Sequence, residues 1–182
     1  MLKLLARFIF YVKGWHIEGK IPDGLMKCVI IQAPHTSMMD FFVGWLASKI
    51  YGVKFRFIIK KEAFIFPLAG IIKSMGGIPV DRSRSQGTVR QLVDVFNRSD
   101  NLYLIITPEG TRAYTAHWKK GFYYIAQAAG VPVLLGFIDY KKKVCGIGGR
   151  LDISGNFEED FKIIEQFYKG MHAKYPEKFN LS

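Results

Sequence analysis

Short apolar runs along the chain alternate with segments whose apolar residues recur at helical spacing. An apolar run with β-branched side chains, bounded by polar or turn residues, is typical of a buried strand. The pattern predicts buried strands at 27–32, 102–106 and 133–138. A half-exposed strand is predicted at 53–59, where Val, Phe and Ile alternate with Lys and Arg.

Helical patterns lie between these strands. They predict helices at 38–51, 88–97 and 119–129 and a shorter helical region at 63–74. A last helix begins at Asn156, and its acidic first turn and basic last turn suit the helix dipole. Alternation of strands and helices predicts an α/β fold with a mostly parallel central sheet flanked by helices.

Three short apolar segments do not fit the centre of such a sheet. Residues 15–18 predict a short strand. The segment 78–80 is too short, and its proline cannot donate to a central ladder. Residues 144–147 follow a turn of three lysines and predict an antiparallel excursion.

Composition agrees with one globular domain over residues 1–182. Apolar residues make up 49% and charged residues 23% of the chain, which excludes a disordered protein. The two cysteines, Cys28 and Cys145, lie in apolar strand-like runs, and neither belongs to a CxxC or Cys/His metal spacing. Reduced thiols in a cytoplasmic setting, without a metal ion, are therefore expected.

The charge balance points to an anionic partner. The chain has 26 Lys and Arg against 15 Asp and Glu, a net charge of +11, which favours nucleic acid, an acidic membrane surface or a phosphorylated substrate. Residues 1–14 place Lys3, Arg7 and Lys13 on one side of a helical wheel, which predicts an amphipathic helix in a membrane interface. A helix packed on the domain is the alternative. Neither a signal peptide nor a membrane-spanning segment is predicted.

The first candidate chemistry lies at the strand-to-helix junction 33–40. His35 follows the predicted strand, where open α/β sheets place ligands, and Ser37 with Asp40 has capping-box spacing. Residues five apart on an unbroken helix point about 140° apart. Only a bent junction, which Pro34 favours, turns the Asp40 carboxylate back to a His35 ring nitrogen. The alternative is a plain cap and a polar loop residue.

Two polar loops are candidate phosphate sites. In one, Gly110 lets the backbone approach a ligand and Arg112 offers a planar fork to phosphate oxygens. Glu109 is expected to orient Arg112 rather than touch the ligand. The other loop carries Arg82 and Arg84. The alternatives are a surface turn with an internal ion pair for the first loop and a solvated basic loop for the second.

Together and in this order, these stretches resemble the glycerolipid acyltransferase family, whose enzymes acylate 1-acylglycerol-3-phosphate and its relatives. The family's His-x4-Asp block is matched by His35 and Asp40. Its Gly-rich lead to an arginine is matched by 77–82, and its apolar Val-Pro strand by 131–133. Its Glu-Gly-Thr-Arg block is matched in full by Glu109, Gly110, Thr111 and Arg112. The resemblance implies a glycerol-phosphate acyltransferase-like fold.

The resemblance also implies a direct acyl transfer without a cofactor or metal. His35 would act as general base on the free hydroxyl of a lysophospholipid, foremost 1-acyl-glycerol-3-phosphate giving phosphatidic acid. The hydroxyl would attack acyl-CoA or acyl carrier protein, while Asp40 fixes the His35 tautomer. The expected protein is peripheral, on an anionic surface at the cytoplasmic face of the membrane, and binds no nucleic acid. The substrate-binding residues would be Arg82, Glu109, Gly110, Thr111 and Arg112.

Other residues receive more limited predictions. Phe41, Phe42, Trp45 and the 64–72 region could line a groove for the acyl chain, with plain core as the alternative. Three histidines are predicted to be non-catalytic. His117 and His172 are isolated from carboxylate motifs, and His16 lies in a predicted strand.

Two other functions compete with acyl transfer. A non-catalytic protein that binds anionic lipid would explain the charge and the N-terminal helix. A nucleic-acid module would explain the charge alone, since aromatic residues interleave with basic ones only at 54–57. The chain has neither a GxSxG elbow nor a Walker loop, which weighs against a serine hydrolase and an ATPase.

Overall fold

The computed structural model describes residues 1–81 and 85–181, with the backbone alone at 85 and 86. Within these residues the helices are α1 (Leu2–Lys13), α2 (Met38–Tyr51), α3 (Leu68–Met75), α4 (Ser85–Asn97), α5 (Gly121–Ala129) and α6 (Phe157–Tyr168). The strands are β1 (His16–Glu18), β2 (Lys27–Ala33), β3 (Phe55–Lys60), β4 (Gly77–Val80), β5 (Leu102–Ile106), β6 (Val133–Asp139) and β7 (Val144–Leu151). Short 3-10 helices lie at Lys61–Ala63 and Pro176–Lys178.

The described strands form one seven-stranded sheet in the order β1-β7-β6-β2-β5-β3-β4. Every neighbouring pair is parallel except β6 and β7, which are antiparallel. The predicted α/β fold with a mostly parallel sheet is therefore confirmed. The carboxyl ends of β2, β5 and β6 meet at one edge, where ligands bind in open α/β sheets.

Helices cover both faces of this sheet, so its central strands are apolar on both sides. On one face, α4, α5 and α6 bury Leu92, Phe122 and Ile164 against Val29 and Ile31 of β2. On the other face, α1 and α2 pack on β6 and β7 through Phe10, Val43, Ala47, Ile138 and Cys145. The junction between β2 and α2 belongs to this second face, because α2 packs there.

Most predicted elements are found close to their predicted positions. Helix α2 and strand β5 have the predicted bounds, and β6 and β7 form the predicted antiparallel excursion. Strand β4 lies at the sheet edge beside β3 alone, as its proline requires.

Two helix predictions need correction. The helical region predicted at 63–74 is divided, because α3 begins only at Leu68, after Pro67. The structure describes α6 throughout and places no basic residue in its last turn, because the helix ends at Tyr168, before Lys169.

Helix α1 packs on the domain through two of its residues and leaves other apolar residues exposed. Ala6 and Phe10 are buried against the domain, whereas Leu4, Phe8 and Val12 are exposed. Among the described residues, no helix has the length and apolar content needed to cross a bilayer.

Candidate active site

The junction between β2 and α2 has the predicted capping box. Ser37 Oγ accepts a hydrogen bond from the Met39 amide over 3.1 Å. The Asp40 carboxylate accepts from the amides of Thr36 and Ser37, each over 2.8 Å to Oδ2. These bonds satisfy amides that a helix start leaves unpaired, and they hold the Asp40 carboxylate back towards the strand.

The bent junction brings His35 and Asp40 together. His35 Nδ1 lies 3.3 Å from Asp40 Oδ2. The carboxylate side chain is fully buried and the imidazole is 18% exposed. Nδ1 makes no well-aligned hydrogen bond among the described residues, and long contacts of this kind are common between catalytic groups without bound substrate. With Nδ1 facing Asp40, Nε2 is the ring nitrogen left for a substrate.

Tyr140 is a third member of this group that the sequence analysis missed. Its hydroxyl donates a hydrogen bond to Asp40 Oδ1 over 2.6 Å. Burial and, next, this bond raise the pKa of Tyr140 well above its ordinary value. The one available signal was position, because Tyr140 directly follows β6, whose carboxyl end lies beside that of β2.

Glu109 does not have the predicted contact with Arg112. Its carboxylate is 2% exposed, and Oε1 accepts a hydrogen bond from the His35 amide over 2.8 Å. Among the described residues no salt bridge joins Glu109 to Arg112, and Glu109 Oε2 is buried without a hydrogen-bond partner. Burial is the main cause that raises the pKa of Glu109 to about 7.

The rest of the Glu-Gly-Thr-Arg stretch is exposed. Gly110, Thr111 and Arg112 follow β5, the neighbour of β2. Gly110 has a φ of 66°, in the left-handed region that favours glycine. The loop contacts the His35 segment through Glu109. Arg82 and Arg84, from the other predicted loop, lie outside the described residues.

His172 has a carboxylate partner that its sequence surroundings did not indicate. Its Nδ1 lies 3.3 Å from Asp139 Oδ2 at the end of β6. Burial opposes ionisation of Asp139, yet hydrogen bonds from the Lys142 amide and from His172 lower its pKa. The pairing is tertiary, so no local spacing could reveal it. His16 lies in β1 as predicted, and His117 is exposed.

Two adjoining clefts lie between α2 and the sheet. Both are lined by Gln32, Gly44, Phe55 and Ile105. Of the predicted groove residues, Phe41 and Trp45 line the second cleft. The others, Phe42 and the apolar residues around α3, are largely exposed: Ile65, Phe66, Leu68 and Ile71.

The donor set offers no evident metal centre. Across residues 1–81 and 85–181, no group of three or more His, Cys, Asp or Glu side chains is arranged to hold a metal ion. The carboxylates of Asp40 and Glu109 instead accept hydrogen bonds from backbone amides of residues 35–37.

The chain is similar to several known proteins. The family model described as Acyltransferase matches residues 16–134. The chain is 35% identical to a 1-acyl-sn-glycerol-3-phosphate acyltransferase of Cocos nucifera over 107 residues, which cover 55% of this chain and 33% of that protein. It is 31% identical to a chloroplastic 1-acyl-sn-glycerol-3-phosphate acyltransferase of Brassica napus over 127 residues, 65% of this chain and 35% of the relative. The match therefore spans about a third of the length of these curated relatives.

A solved structure shares the fold. It is the 1-acyl-sn-glycerophosphate acyltransferase of Thermotoga maritima, with a TM-score of 0.66 and 22% identity. The match covers 92% of this chain and 75% of that one. At this identity the likeness bears on the architecture rather than on the substrate.

Proposed function

Because this chain belongs to the acyltransferase family, we propose that it transfers a fatty acyl group to the free hydroxyl of a lysophospholipid. The proposed acceptor is 1-acyl-glycerol-3-phosphate, and the product is phosphatidic acid. The observation that carries the proposal is the contact of His35 Nδ1 with Asp40 Oδ2 at 3.3 Å, beside a loop that ends in an exposed arginine.

In this mechanism His35 is the general base. Nε2 takes the proton of the acceptor hydroxyl, and the hydroxyl oxygen attacks the thioester carbonyl carbon of acyl-CoA or acyl carrier protein. The C–S bond of the tetrahedral intermediate then breaks, and the thiol leaves with the proton returned by the imidazolium. General-base catalysis of this kind contributes about 10² to 10⁴ in rate.

Asp40 supports His35 in two ways. Its charge stabilises the imidazolium and favours the tautomer with a proton on Nδ1. Its orientation is fixed by the Thr36 and Ser37 amides at 2.8 Å, so the carboxylate cannot turn away when the imidazole becomes charged. The capping box therefore also orients the catalytic pair.

The exposed end of the Glu-Gly-Thr-Arg stretch is the proposed site for the acceptor phosphate. The planar guanidinium group of Arg112 can donate two hydrogen bonds to phosphate oxygens. At Gly110 and Thr111 the backbone would lie close to that phosphate. Arg82, which lies outside the described residues, is proposed as a second phosphate ligand on the family resemblance. Glu109 contributes indirectly, because its carboxylate binds the His35 amide rather than the ligand.

The clefts between α2 and the sheet are the proposed place for the acyl chain. Their walls are largely apolar, with Phe41, Trp45, Phe55 and Phe57 among them. Since α2 begins at the catalytic junction, a chain lying along this helix would keep its carbonyl end near His35.

The proposed binding partner of α1 and the α3 region is an anionic membrane surface at the cytoplasmic face. Exposed lysines and an arginine on α1, Lys3, Arg7 and Lys13, suit acidic headgroups. Exposed apolar side chains of α1 and of the α3 region suit the acyl boundary. They include Leu4, Leu5, Phe8, Phe66 and Ile71. The protein would then meet its lipid acceptor where the acceptor resides.

The test is acyl transfer by the purified chain. Lysophospholipids and glycerol-3-phosphate are offered with acyl-CoA and with acyl carrier protein, and products are read by mass spectrometry. We expect phosphatidic acid from the wild type and none above background from His35→Ala. Full activity in His35→Ala would overturn the mechanism.

The exposed apolar residues of α1 favour one other candidate, a non-catalytic protein that binds anionic lipid. It predicts that vesicle binding survives His35→Ala and that the wild type forms no product with any acceptor or donor. Product formation by the wild type excludes it.

A further inference from the structure

Tyr140 and the junction loop divide the two oxygens of the Asp40 carboxylate between them. Oδ2 faces the Thr36 and Ser37 amides and the His35 ring. Oδ1 faces the hydroxyl of Tyr140, which donates over 2.6 Å. Asp40 is fully buried, and the Tyr140 hydroxyl is the donor that the structure places on Oδ1.

Tyr140 is itself fixed from two directions. The edge of the Trp15 ring packs on its ring, with centroids 5.2 Å apart and planes at 88°. Its backbone amide donates to the His172 carbonyl over 2.8 Å, and the His172 ring lies against Asp139. Trp15 is in turn tied to the end of α1, because its amide donates to the Phe10 carbonyl. The hydroxyl therefore reaches Asp40 from a well-supported position.

We propose that Tyr140 is a positioning residue for the His35–Asp40 pair, which fixes the carboxylate and moderates the charge that it presents to His35. The proposal rests on the proposed acyl transfer. A donor on Oδ1 withdraws negative charge from the carboxylate, so Asp40 stabilises the imidazolium less than an unpaired buried carboxylate would. The Tyr140 hydroxyl therefore affects how strongly Asp40 stabilises the imidazolium that forms when His35 accepts a proton.

The first test is Tyr140→Phe, which keeps the ring and removes the hydroxyl. We expect kcat to fall about tenfold with little change in KM for the acceptor, because Asp40 loses one of its anchors. The acid limb of the profile of kcat/KM against pH should move to higher pH by several tenths of a unit to about one unit. The reason is that the Asp40 carboxylate, without the hydrogen bond on Oδ1, favours the imidazolium form of His35.

A second variant tests the direction of this pH shift without removing the hydrogen bond from Tyr140 to Asp40. Site-specific replacement of Tyr140 by a fluorinated tyrosine is nearly isosteric and makes the hydroxyl a stronger donor. The acid limb should then move down in pH, opposite to Tyr140→Phe. This arm keeps the proposal falsifiable if Tyr140→Phe does not fold.

Other ionisable groups around the pair are the same in all these variants. Glu109 faces His35 and Asp40, and Cys145 and Tyr175 face Tyr140. A shift confined to the Tyr140 variants therefore reports the Tyr140 hydroxyl.

Tyr123→Phe is the matched control, because it breaks another buried tyrosine–aspartate hydrogen bond, from Tyr123 to Asp160 over 2.9 Å. It is expected to lower stability without moving the acid limb. An acid limb and kcat equal to wild type in Tyr140→Phe, or an equal shift in Tyr123→Phe, overturns the proposal. An inactive wild type, or a fully active His35→Ala, overturns the proposed function itself.

Discussion

The Glu109 carboxylate accepts a hydrogen bond from the backbone amide of His35 over 2.8 Å, across 74 positions of sequence. It joins the loops that follow the neighbouring strands β5 and β2. The acidic member of the Glu-Gly-Thr-Arg stretch thus holds the loop that carries the proposed base. Because burial raises the pKa of Glu109 to about 7, this support changes its charge near neutral pH.

Glu109 should make the stability of the protein depend on pH. Its pKa is raised from 4.5 to about 7 in the folded state, so the native protein holds a proton that the unfolded chain has lost. The stabilising contribution is full below about pH 4.5 and is lost as the pH rises through about 7. Between pH 4.5 and 8 the free energy of unfolding should fall by on the order of 2 to 3 kcal/mol from this group.

Glu109→Gln should remove this dependence, because a glutamine keeps an acceptor for the His35 amide but does not titrate. Urea unfolding at pH 5 and pH 8 gives the free energy of unfolding of wild type and variant. The gap is the difference between these two free energies, and it should change between the two pH values. Glu177→Gln, at an exposed glutamate, is the control and should keep a constant gap. A constant gap for Glu109→Gln would contradict the expectation.

The contacts of the candidate site differ in how far the sequence could predict them. The Ser37–Asp40 capping box follows from local spacing, because both residues lie within one helical turn. The bend that brings His35 to Asp40 follows from that box and from Pro34. The pattern of buried strands likewise predicts that β2 and β5 end at the site.

The tertiary contacts of the site could not be predicted from the sequence. Tyr140 lies 100 positions from Asp40, and His172 reaches Asp139 from a segment without a motif. Glu109 was expected to orient Arg112, because an acidic side chain next to an anion site should not touch the ligand. Its burial between two strand ends instead leaves the His35 amide as the partner.

Arg112→Lys should weaken acceptor binding more than it slows the chemical step. Loss of the planar fork removes a charge-assisted hydrogen bond to phosphate, so KM for 1-acyl-glycerol-3-phosphate should rise about tenfold or more. Steady-state kinetics with this acceptor and with a monoacylglycerol that lacks the phosphate separate the two effects. Only the phosphate-bearing acceptor should be affected.

The control for this variant is Arg150→Lys, since Arg150 forms an exposed ion pair with Asp152 on β7, away from the Glu-Gly-Thr-Arg loop. It should leave both KM values unchanged. An equal loss with both acceptors in Arg112→Lys would show that Arg112 does not bind the phosphate.

Membrane attachment through α1 should depend on its exposed apolar side. Leu4 is 70% and Phe8 63% exposed, and burying each in the interface contributes about 1.5 to 3 kcal/mol. Leu4→Glu and Phe8→Glu should therefore each weaken binding to vesicles containing an anionic phospholipid by about tenfold or more. Ile163→Glu adds the same charge at another exposed apolar position, 54% exposed, on α6 on the other face of the sheet. It should bind more tightly than either α1 variant, because it keeps the apolar side of α1. Co-sedimentation at low and high salt measures all three, and attachment through α1 is excluded if the α1 variants bind as tightly as Ile163→Glu.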